Sequence, residues 1–241
     1  MLNLDPIMKI LFGYSVLLVI LACTQADQSN NPKIQPSEKI QACEKSADWG
    51  DTKICLPELA GMIECYSHPN IKAKTSRTAS KDNFVLAYYL SNETYQEIDR
   101  IEEFNIDDYI KIFALTYLKN SKSDQAQLNK LSNVISNSAL QVKWAEIKQG
   151  IEKKHDGLVF GKPVIIDQYS PDKNARTFIM IVKMKVFDSD EYISIITSNI
   201  VLVNERIISV AYCKSYEGEH SIIKSKSKND YIISSLLAAN K

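Results

Sequence analysis

Cysteine is the residue type in this chain best suited to chemistry. Beyond an early cysteine in an apolar leader, four remain: Cys43, Cys55, Cys65 and Cys213. Zinc sites usually show close ligand pairs such as Cys-x-x-Cys, which the chain lacks, and its three histidines stand singly. A thiolate nucleophile needs a spare cysteine beside a base, whereas four is an even number. We therefore expect no metal site but two disulfides, formed in a compartment that oxidises thiols.

Other catalytic signatures are absent from the sequence. It has no Gly-x-Ser-x-Gly, no His-Glu-x-x-His, no phosphate-binding loop and no dinucleotide-binding glycine pattern. Two carboxylate pairs, Glu102-Glu103 and Asp107-Asp108, are interpreted as acids at the start of a helix, where the helix dipole favours them. The sequence thus indicates no catalytic residue and no cofactor. It favours a non-enzymatic function without excluding an enzyme.

The first 22 residues are typical of an export signal. The run from Ile10 to Leu21 is apolar and uncharged, but it is much shorter than the roughly 20 residues of a membrane-spanning helix. With Lys9 before it, the run fits the hydrophobic region of a secretory signal that starts at Met1 or Met8.

The end of this signal, Ile20-Leu21-Ala22-Cys23, resembles the lipobox of bacterial lipoproteins. The resemblance implies that the signal is cleaved before Cys23, that the Cys23 thiol carries a diacylglyceryl group, and that its new amine carries an acyl chain such as palmitate. Because Thr24 rather than Asp follows, the lipoprotein sorting rule favours the outer over the inner membrane. The implied location is the cell envelope, facing the periplasm.

Residues 23–38 are interpreted as a flexible tether. They are polar with two prolines, so they cannot bury enough apolar surface to offset the entropy lost on ordering. A coil of this length would hold the folded part roughly 20 Å from the bilayer. The tether leads into a single disulfide-containing α+β domain, predicted for residues 39–241.

Two disulfides among four cysteines allow three connectivities. We favour Cys43–Cys55, which closes a short loop, and Cys65–Cys213. The second pairing rests on the expectation that the strand Met62–Tyr66 lies beside Ala211–Ser215. Such a long-range link would stabilise the fold by about 3–5 kcal/mol, by restricting the unfolded chain.

Composition and net charge limit the classes of binding partner that we expect. With 45% hydrophobic and 24% charged residues the chain is typical of a soluble globular fold. It carries 29 basic and 29 acidic residues, so its net charge is zero, and the overall field offers no basis for binding nucleic acid. We expect contact with the membrane through the lipid anchor and with a protein partner, but not with nucleic acid.

The hydrophobic pattern predicts an α+β fold. Asn83–Leu90 is predicted to be a buried strand, followed by helices over residues 106–119, 124–136 and 140–154. From residue 163 to 215 the alternation changes to that of an antiparallel three-stranded meander, with a two-residue turn at Asn204-Glu205. An amphipathic terminal helix is predicted for residues 230–240, after a basic stretch at Lys224, Lys226 and Lys228.

This element order is similar to the PsbP/Mog1-like fold over residues 51–240. The similarity is carried by the turn and final strand from Asn204 to Tyr212 and by the terminal helix from Asn229 to Leu237. Members of that fold mostly bind or help assemble partners, so the resemblance implies a binding or assembly function.

Two functions of different class follow from the sequence. The first is a non-enzymatic envelope lipoprotein that acts as a protein-binding or assembly module; one version is an immunity lipoprotein that neutralises a toxin in the periplasm. The second is a small-ligand carrier or an unrecognised hydrolase, with a pocket between the sheet and the helices around Trp144. The first needs an exposed patch with aromatic anchors, whereas the second needs a concave pocket with convergent polar groups.

The anchor is directly testable. Mass spectrometry of the mature N-terminus is expected to find an acylated Cys23, and Cys23→Ala is expected to release the protein from the membrane fraction, because a cysteine thiol is needed for the lipid. An unmodified N-terminus at another residue would contradict the prediction.

Overall fold

The computed structural model describes residues 43–78, 82–100, 108–136, 158–186 and 191–241. The signal, Cys23 and the tether lie outside these residues, as does the predicted helix over residues 140–154. The described strands are β1 (Ser46–Trp49), β2 (Thr52–Cys55), β3 (Met62–Glu64), β4 (Asn83–Ser91), β5 (Tyr109–Leu115), β6 (Leu158–Phe160), β7 (Val164–Tyr169), β8 (Ala175–Val186), β9 (Tyr192–Val203) and β10 (Arg206–Ser215). The described helices are α1 (Pro69–Thr78), α2 (Asn92–Gln96), α3 (Gln125–Ser136) and α4 (Glu219–Ala239).

An antiparallel sheet forms the centre of this α+β fold. Its order is β3-β4-β5-β10-β9-β8-β6, and β7 also pairs with β8. The predicted meander is confirmed, since β8, β9 and β10 are consecutive antiparallel neighbours. The turn between β9 and β10 is Asn204-Glu205, and both residues have left-handed φ angles of 48° and 59°. Two such residues match the right-handed twist of a hairpin.

Helix α4 covers one face of the sheet, which we call the α4 face. Its side chains Ile232, Ile233 and Leu236 are fully buried in the main hydrophobic core. The β1–β2 hairpin packs on the same face through Trp49 and Ile54, both also fully buried. The opposite face is packed by α1 and α2 near β4, and by α3 on β8 and β9.

Residues 109–115 are a strand, and the helix predicted for residues 106–119 is wrong. The segment Tyr-Ile-Lys-Ile-Phe-Ala-Leu lies in the middle of the sheet and is buried on both faces. A strand buried on both sides shows an almost continuous apolar run, and such a run fits a helical period as well as a strand. The β-branched Ile110 and Ile112 favour the strand.

Helix α4 is longer than the sequence predicted. It begins at Glu219 rather than near Asp230, so the lysines at 224, 226 and 228 are helical. Small buried residues, Ser221 and Ser225, lie in its first half. Because these serines weaken the apolar periodicity, the sequence predicted only the second half of the helix.

A buried hydrogen-bond network fixes α4 against the sheet. The Oδ1 atom of Asn229 accepts hydrogen bonds from Thr197 Oγ1 and from Asn199 Nδ2, both at 2.8 Å. Its Nδ2 atom donates to Asn199 Oδ1 at 3.1 Å. Thr177 Oγ1 donates to the same Asn199 oxygen at 2.6 Å. Asn229 thus supplies the hydrogen-bond acceptor of the Thr197 hydroxyl and completes the hydrogen bonds of Asn199, which also donates to the Val210 carbonyl.

Asn229→Ala is expected to lower the free energy of unfolding by about 2–3 kcal/mol, because it leaves Thr197 and Asn199 buried with unsatisfied hydrogen-bonding groups. Chemical denaturation monitored by circular dichroism measures this loss. The exposed Ser227→Ala on the same helix is the matched control and is expected to change stability by less than about 0.5 kcal/mol. An equally small change in Asn229→Ala would refute the role given to the network.

Candidate functional site

The Cys43–Cys55 disulfide forms as predicted, with its Cα atoms 5.5 Å apart. It closes the β1–β2 hairpin, which is also attached to the C-terminus of α4. Asn240 Nδ2 donates to the Cys55 carbonyl, and Asn240 Oδ1 accepts from the Cys55 amide, both at 2.9 Å. At the hairpin turn the buried Arg206 guanidinium forms an ion pair with Asp51 and lowers the pKa of that carboxyl through its hydrogen bond. The disulfide therefore lies at a structural junction.

The predicted Cys65–Cys213 link is not formed. Cys65 directly follows β3 and Cys213 belongs to β10, but β4 and β5 lie between these strands. Strands are about 4.8 Å apart, so two intervening strands put the cysteines beyond bonding distance. Met62–Glu64 pairs with β4 instead of β10. Both residues are buried thiols, and the expectation of adjacent strands was wrong.

The Cys65 thiol has the properties of a structural residue. Burial raises its pKa to about 12, with a smaller contribution from the nearby Glu64 carboxylate. Its Sγ donates a hydrogen bond to the Tyr88 carbonyl at 3.3 Å. A reactive cysteine needs a lowered pKa so that the thiolate is populated near neutral pH. Cys65 is thus unsuited to act as a nucleophile.

Histidines and carboxylates do not converge in the described residues. His68 Nε2 lies 3.7 Å from the exposed Asp99 carboxylate, His220 lies in the first turn of α4, and His155 is outside the described residues. Of the two carboxylate pairs, Asp108 is described; it forms an ion pair with Lys214 at 3.4 Å. In the described part of the chain, no group of three or more metal-ligating side chains is suited to a metal ion.

Lys111 is the buried charged residue that the sequence did not single out. It lies in β5 between Ile110 and Ile112, which face the α4 core, so alternation places its side chain on the opposite face. Only 3% of its surface is exposed. Its Nζ lies 5.5 Å from the ring centroid of Phe113, and the Cys213 thiol lies near enough to act on it electrostatically. Burial lowers the pKa of the amine to about 8.

Small and hydroxyl-bearing side chains lie beside Lys111 on this face. The register pairs Lys111 with Ala211 of β10, and Ala211 with Ser198 of β9. Ser209, two residues before Ala211, points to the same side. All three small residues are buried. The register therefore places one ammonium and two hydroxyl groups on one face of adjacent strands.

Strand β7 presents a second unusual feature, an apolar edge. Val164, Ile165 and Ile166 are 56%, 37% and 40% exposed. Within the described strands, β7 pairs on one side only, with β8. A bulge between Ile165 and Asp167 breaks its alternation. The result is three consecutive exposed branched side chains on a strand with one unpaired edge.

Lys226 of the basic stretch and the neighbouring tyrosines Tyr88 and Tyr89 of β4 have mainly structural roles. Lys226 Nζ contacts Asp167 at 2.9 Å and lies 4.2 Å from the centroid of the Tyr169 ring, so it joins α4 to β7. Tyr88 and Tyr89 are buried on opposite sides of β4. Tyr88 stacks on Tyr109 with ring centroids 5.3 Å apart. Trp144, around which a pocket was predicted, lies outside the described residues.

Comparison with known proteins gives no assignment. No protein-family model matches the chain, and a search of curated proteins finds no match either. In the described part, no helix is long and apolar enough to cross a membrane. Two features of the described residues differ from ordinary packing, namely the burial of Lys111 and the apolar edge strand β7.

Sequence reasoning missed both features for different reasons. Lys111 lies within the segment that was predicted to be a helix, because an almost continuous apolar run fits a helical period as well as a strand. A lysine flanked by isoleucines within such a run is the signal that would have indicated a buried charge. The residues of β7 were predicted to begin the meander, and only the strand order shows that they lie at an edge.

Lys111→Met is expected to raise the free energy of unfolding at pH 7 by about 3 kcal/mol, because it removes a buried charge while keeping a similar volume. The folded-state pKa lies below the usual value near 10.5, so the wild type gains stability as pH rises from about 8 to 10.5. The advantage of the variant should therefore shrink over this window. Chemical denaturation of both proteins across pH 7–10.5 measures the difference in their free energies of unfolding. The contributions of the other titrating groups cancel in this difference. A difference that does not change with pH would contradict the prediction.

Proposed function

We propose that the protein is a non-enzymatic, lipid-anchored protein of the cell envelope, whose folded part binds a protein partner. Export is supported by the Cys43–Cys55 disulfide, because such bonds persist in oxidising compartments. Four residues, 39–42, separate Cys43 of this disulfide from the end of the predicted tether, so the disulfide lies close to the segment through which an anchored domain would be held.

The observation that carries partner binding is the apolar edge of β7. Edge strands present unpaired backbone groups, and natural proteins usually protect them with charges, prolines or covering elements. Here three exposed branched residues follow one another instead, Val164, Ile165 and Ile166. A lysine and a proline, Lys162 and Pro163, precede the strand, but no residue of either type lies at its centre.

The occupant that fits this edge is an extended segment of another protein. Main-chain hydrogen bonds to β7 would add one strand to the sheet, and the exposed isoleucines would supply apolar anchors on both of its sides. Helix α4 holds strand β7 through side-chain hydrogen bonds. Lys226 bonds to Asp167, and the Tyr169 hydroxyl donates to Asp230 at 2.6 Å, so α4 fixes the strand that would receive the segment.

The test compares two isoleucine substitutions in the full, membrane-anchored chain. Ile166→Lys adds a charge at the edge and is expected to reduce capture of a crosslinked partner at least tenfold, because burying an unpaired ammonium is costly. Ile63→Lys is the matched control, since Ile63 is half-buried on β3, at the opposite edge of the sheet, and it should leave capture unchanged. Crosslinking in intact cells followed by quantitative mass spectrometry measures both.

Two outcomes would overturn the proposal. Equal capture by both variants would show that β7 is not the interface. Crosslinks from β7 to a second copy of the same chain alone would show that the edge serves self-association instead of a different partner.

A further inference from the structure

We propose that the first half of α4 forms a second side of the interface at β7, and that the partner segment carries two adjacent large apolar residues with uncharged neighbours. This inference rests on the proposed function, because it takes the β7 edge as the interface. It adds the contribution of the helix and the chemistry of the segment that the edge would receive.

Helix α4 and strand β7 run side by side in the same direction. The Tyr169 hydroxyl donates a hydrogen bond to Asp230 at 2.6 Å. Lys226, four residues earlier in the helix, donates to Asp167 at 2.9 Å, two residues earlier in the strand. Four residues of a helix rise by about 6 Å, and two residues of a strand by about 6.6 Å. The helix and the strand therefore advance at nearly the same rate along their length.

Two isoleucines of α4, Ile222 and Ile223, lie one turn before Lys226 on the side of the helix towards β7. Ile222 precedes Lys226 by four residues, and Ile223 precedes Asp230 by seven. Side chains at these spacings share one side of a helix. Ile222 is half-buried, whereas Ile223 is 70% exposed. The helix thus presents apolar side chains to a partner that binds at β7.

The residue of β7 at the height of these isoleucines is Val164. It pairs with Ile181 of β8, and Asp167 pairs with Ile179. Ile181 and Ile179 are two residues apart, so Val164 lies on the same face as Asp167, towards α4. This two-residue step is close to the rise of one helical turn, about 5.4 Å. Because Val164 is 56% exposed, it forms an accessible apolar surface with the helix, the α4–β7 surface (Val164, Ile222 and Ile223).

Ion pairs lie at both ends of the α4–β7 surface. At one end Lys226 pairs with Asp167. At the other end Lys183 pairs with Glu191, and Lys183 lies two residues beyond Ile181 on the same face of β8. The charges of both pairs are already compensated. A charged side chain of a partner would therefore lose its hydration there without gaining a counter-ion, whereas an uncharged one would not.

The alternation of a strand then defines the partner segment. A strand added to β7 directs successive side chains to opposite faces of the sheet. The residue beside Val164 would face α4 and contact Ile223. The next residue would lie beside Ile165, which faces the opposite side and is 37% exposed. Residues further along in either direction reach the ion pairs. An extended segment with two adjacent large apolar residues and uncharged neighbours fits this arrangement.

Ile223 separates this inference from the proposed function, because it belongs to α4 and not to β7. In the full, membrane-anchored chain, Ile223→Lys is expected to reduce capture of the crosslinked partner at least tenfold, since it places an ammonium against apolar side chains. Ile223→Leu keeps the apolar surface and should change capture by less than twofold. Ala238→Lys adds a lysine at an exposed position in the last turn of the same helix. It is the matched control and should capture the partner as the parent does.

A photo-crosslinking residue gives a second measurement that does not depend on the folding of Ile223→Lys. We expect p-benzoylphenylalanine at position 223 and at position 165 to reach the same partner segment at neighbouring residues, because the two positions lie on opposite faces of the strand that the segment would join. Mass spectrometry of the crosslinked peptides identifies the segment, which should contain two adjacent large apolar residues.

The outcomes distinguish this inference from the proposed function. Loss of capture in Ile166→Lys together with unchanged capture in Ile223→Lys would overturn the inference and leave the proposed function standing. Unchanged capture in both variants would overturn both. Crosslinks from position 223 to the chain itself, to a second copy of it or to lipid would also refute the inference, as would a captured segment with a charged centre.

Discussion

Asn229 is the point on which the arrangement of this domain depends. Its side chain accepts hydrogen bonds from two residues of β9 and donates back to the sheet, in a region closed to water. A purely apolar contact would allow α4 to slide or rotate, since hydrophobic burial has no direction. Hydrogen bonds with fixed geometry select one position. From that position α4 reaches both ends of the molecule: Asn240 holds the disulfide-bonded hairpin, and Lys226 and Asp230 hold β7.

The two faces of the sheet bury different kinds of polar group. On the α4 face, Asn199, Thr177 and Thr197 are buried but satisfy one another through Asn229. On the opposite face, Lys111 is buried in contact with the Phe113 ring, and burial lowers the pKa of its amine to about 8. Amide and hydroxyl groups can satisfy one another in a core that excludes water, whereas a lysine there loses the hydration of its charge.

The sequence predicted those parts of the fold in which the period is unambiguous. The long alternation of β8 and the Asn204-Glu205 turn identify the meander, and Leu128, Leu131 and Ile135 identify α3, which the structure has at Gln125–Ser136. It failed at β5, because a strand buried on both faces has no alternation to display. The pairing of Cys65 with Cys213 failed for a related reason. Strand order is a property of the whole sheet, and a helix assigned to residues 106–119 removed one of the two strands that separate the cysteines.

The same limit explains why the candidate sites were not visible in the sequence. Lys111, Ser198 and Ser209 come from three strands. They lie on one face only because β5 lies next to β10, and the paired residues Phe113 and Ser209 are 96 positions apart in the chain. The exposure of β7 likewise depends on its being at an edge. Neither the position of Lys111 beside β10 nor the exposure of β7 can be read from the residues adjacent to them in the chain. Local motifs therefore predict export, a lipid anchor and a disulfide, whereas the positions of Lys111 and β7 follow from long-range pairing, of β5 with β10 and of β7 with β8.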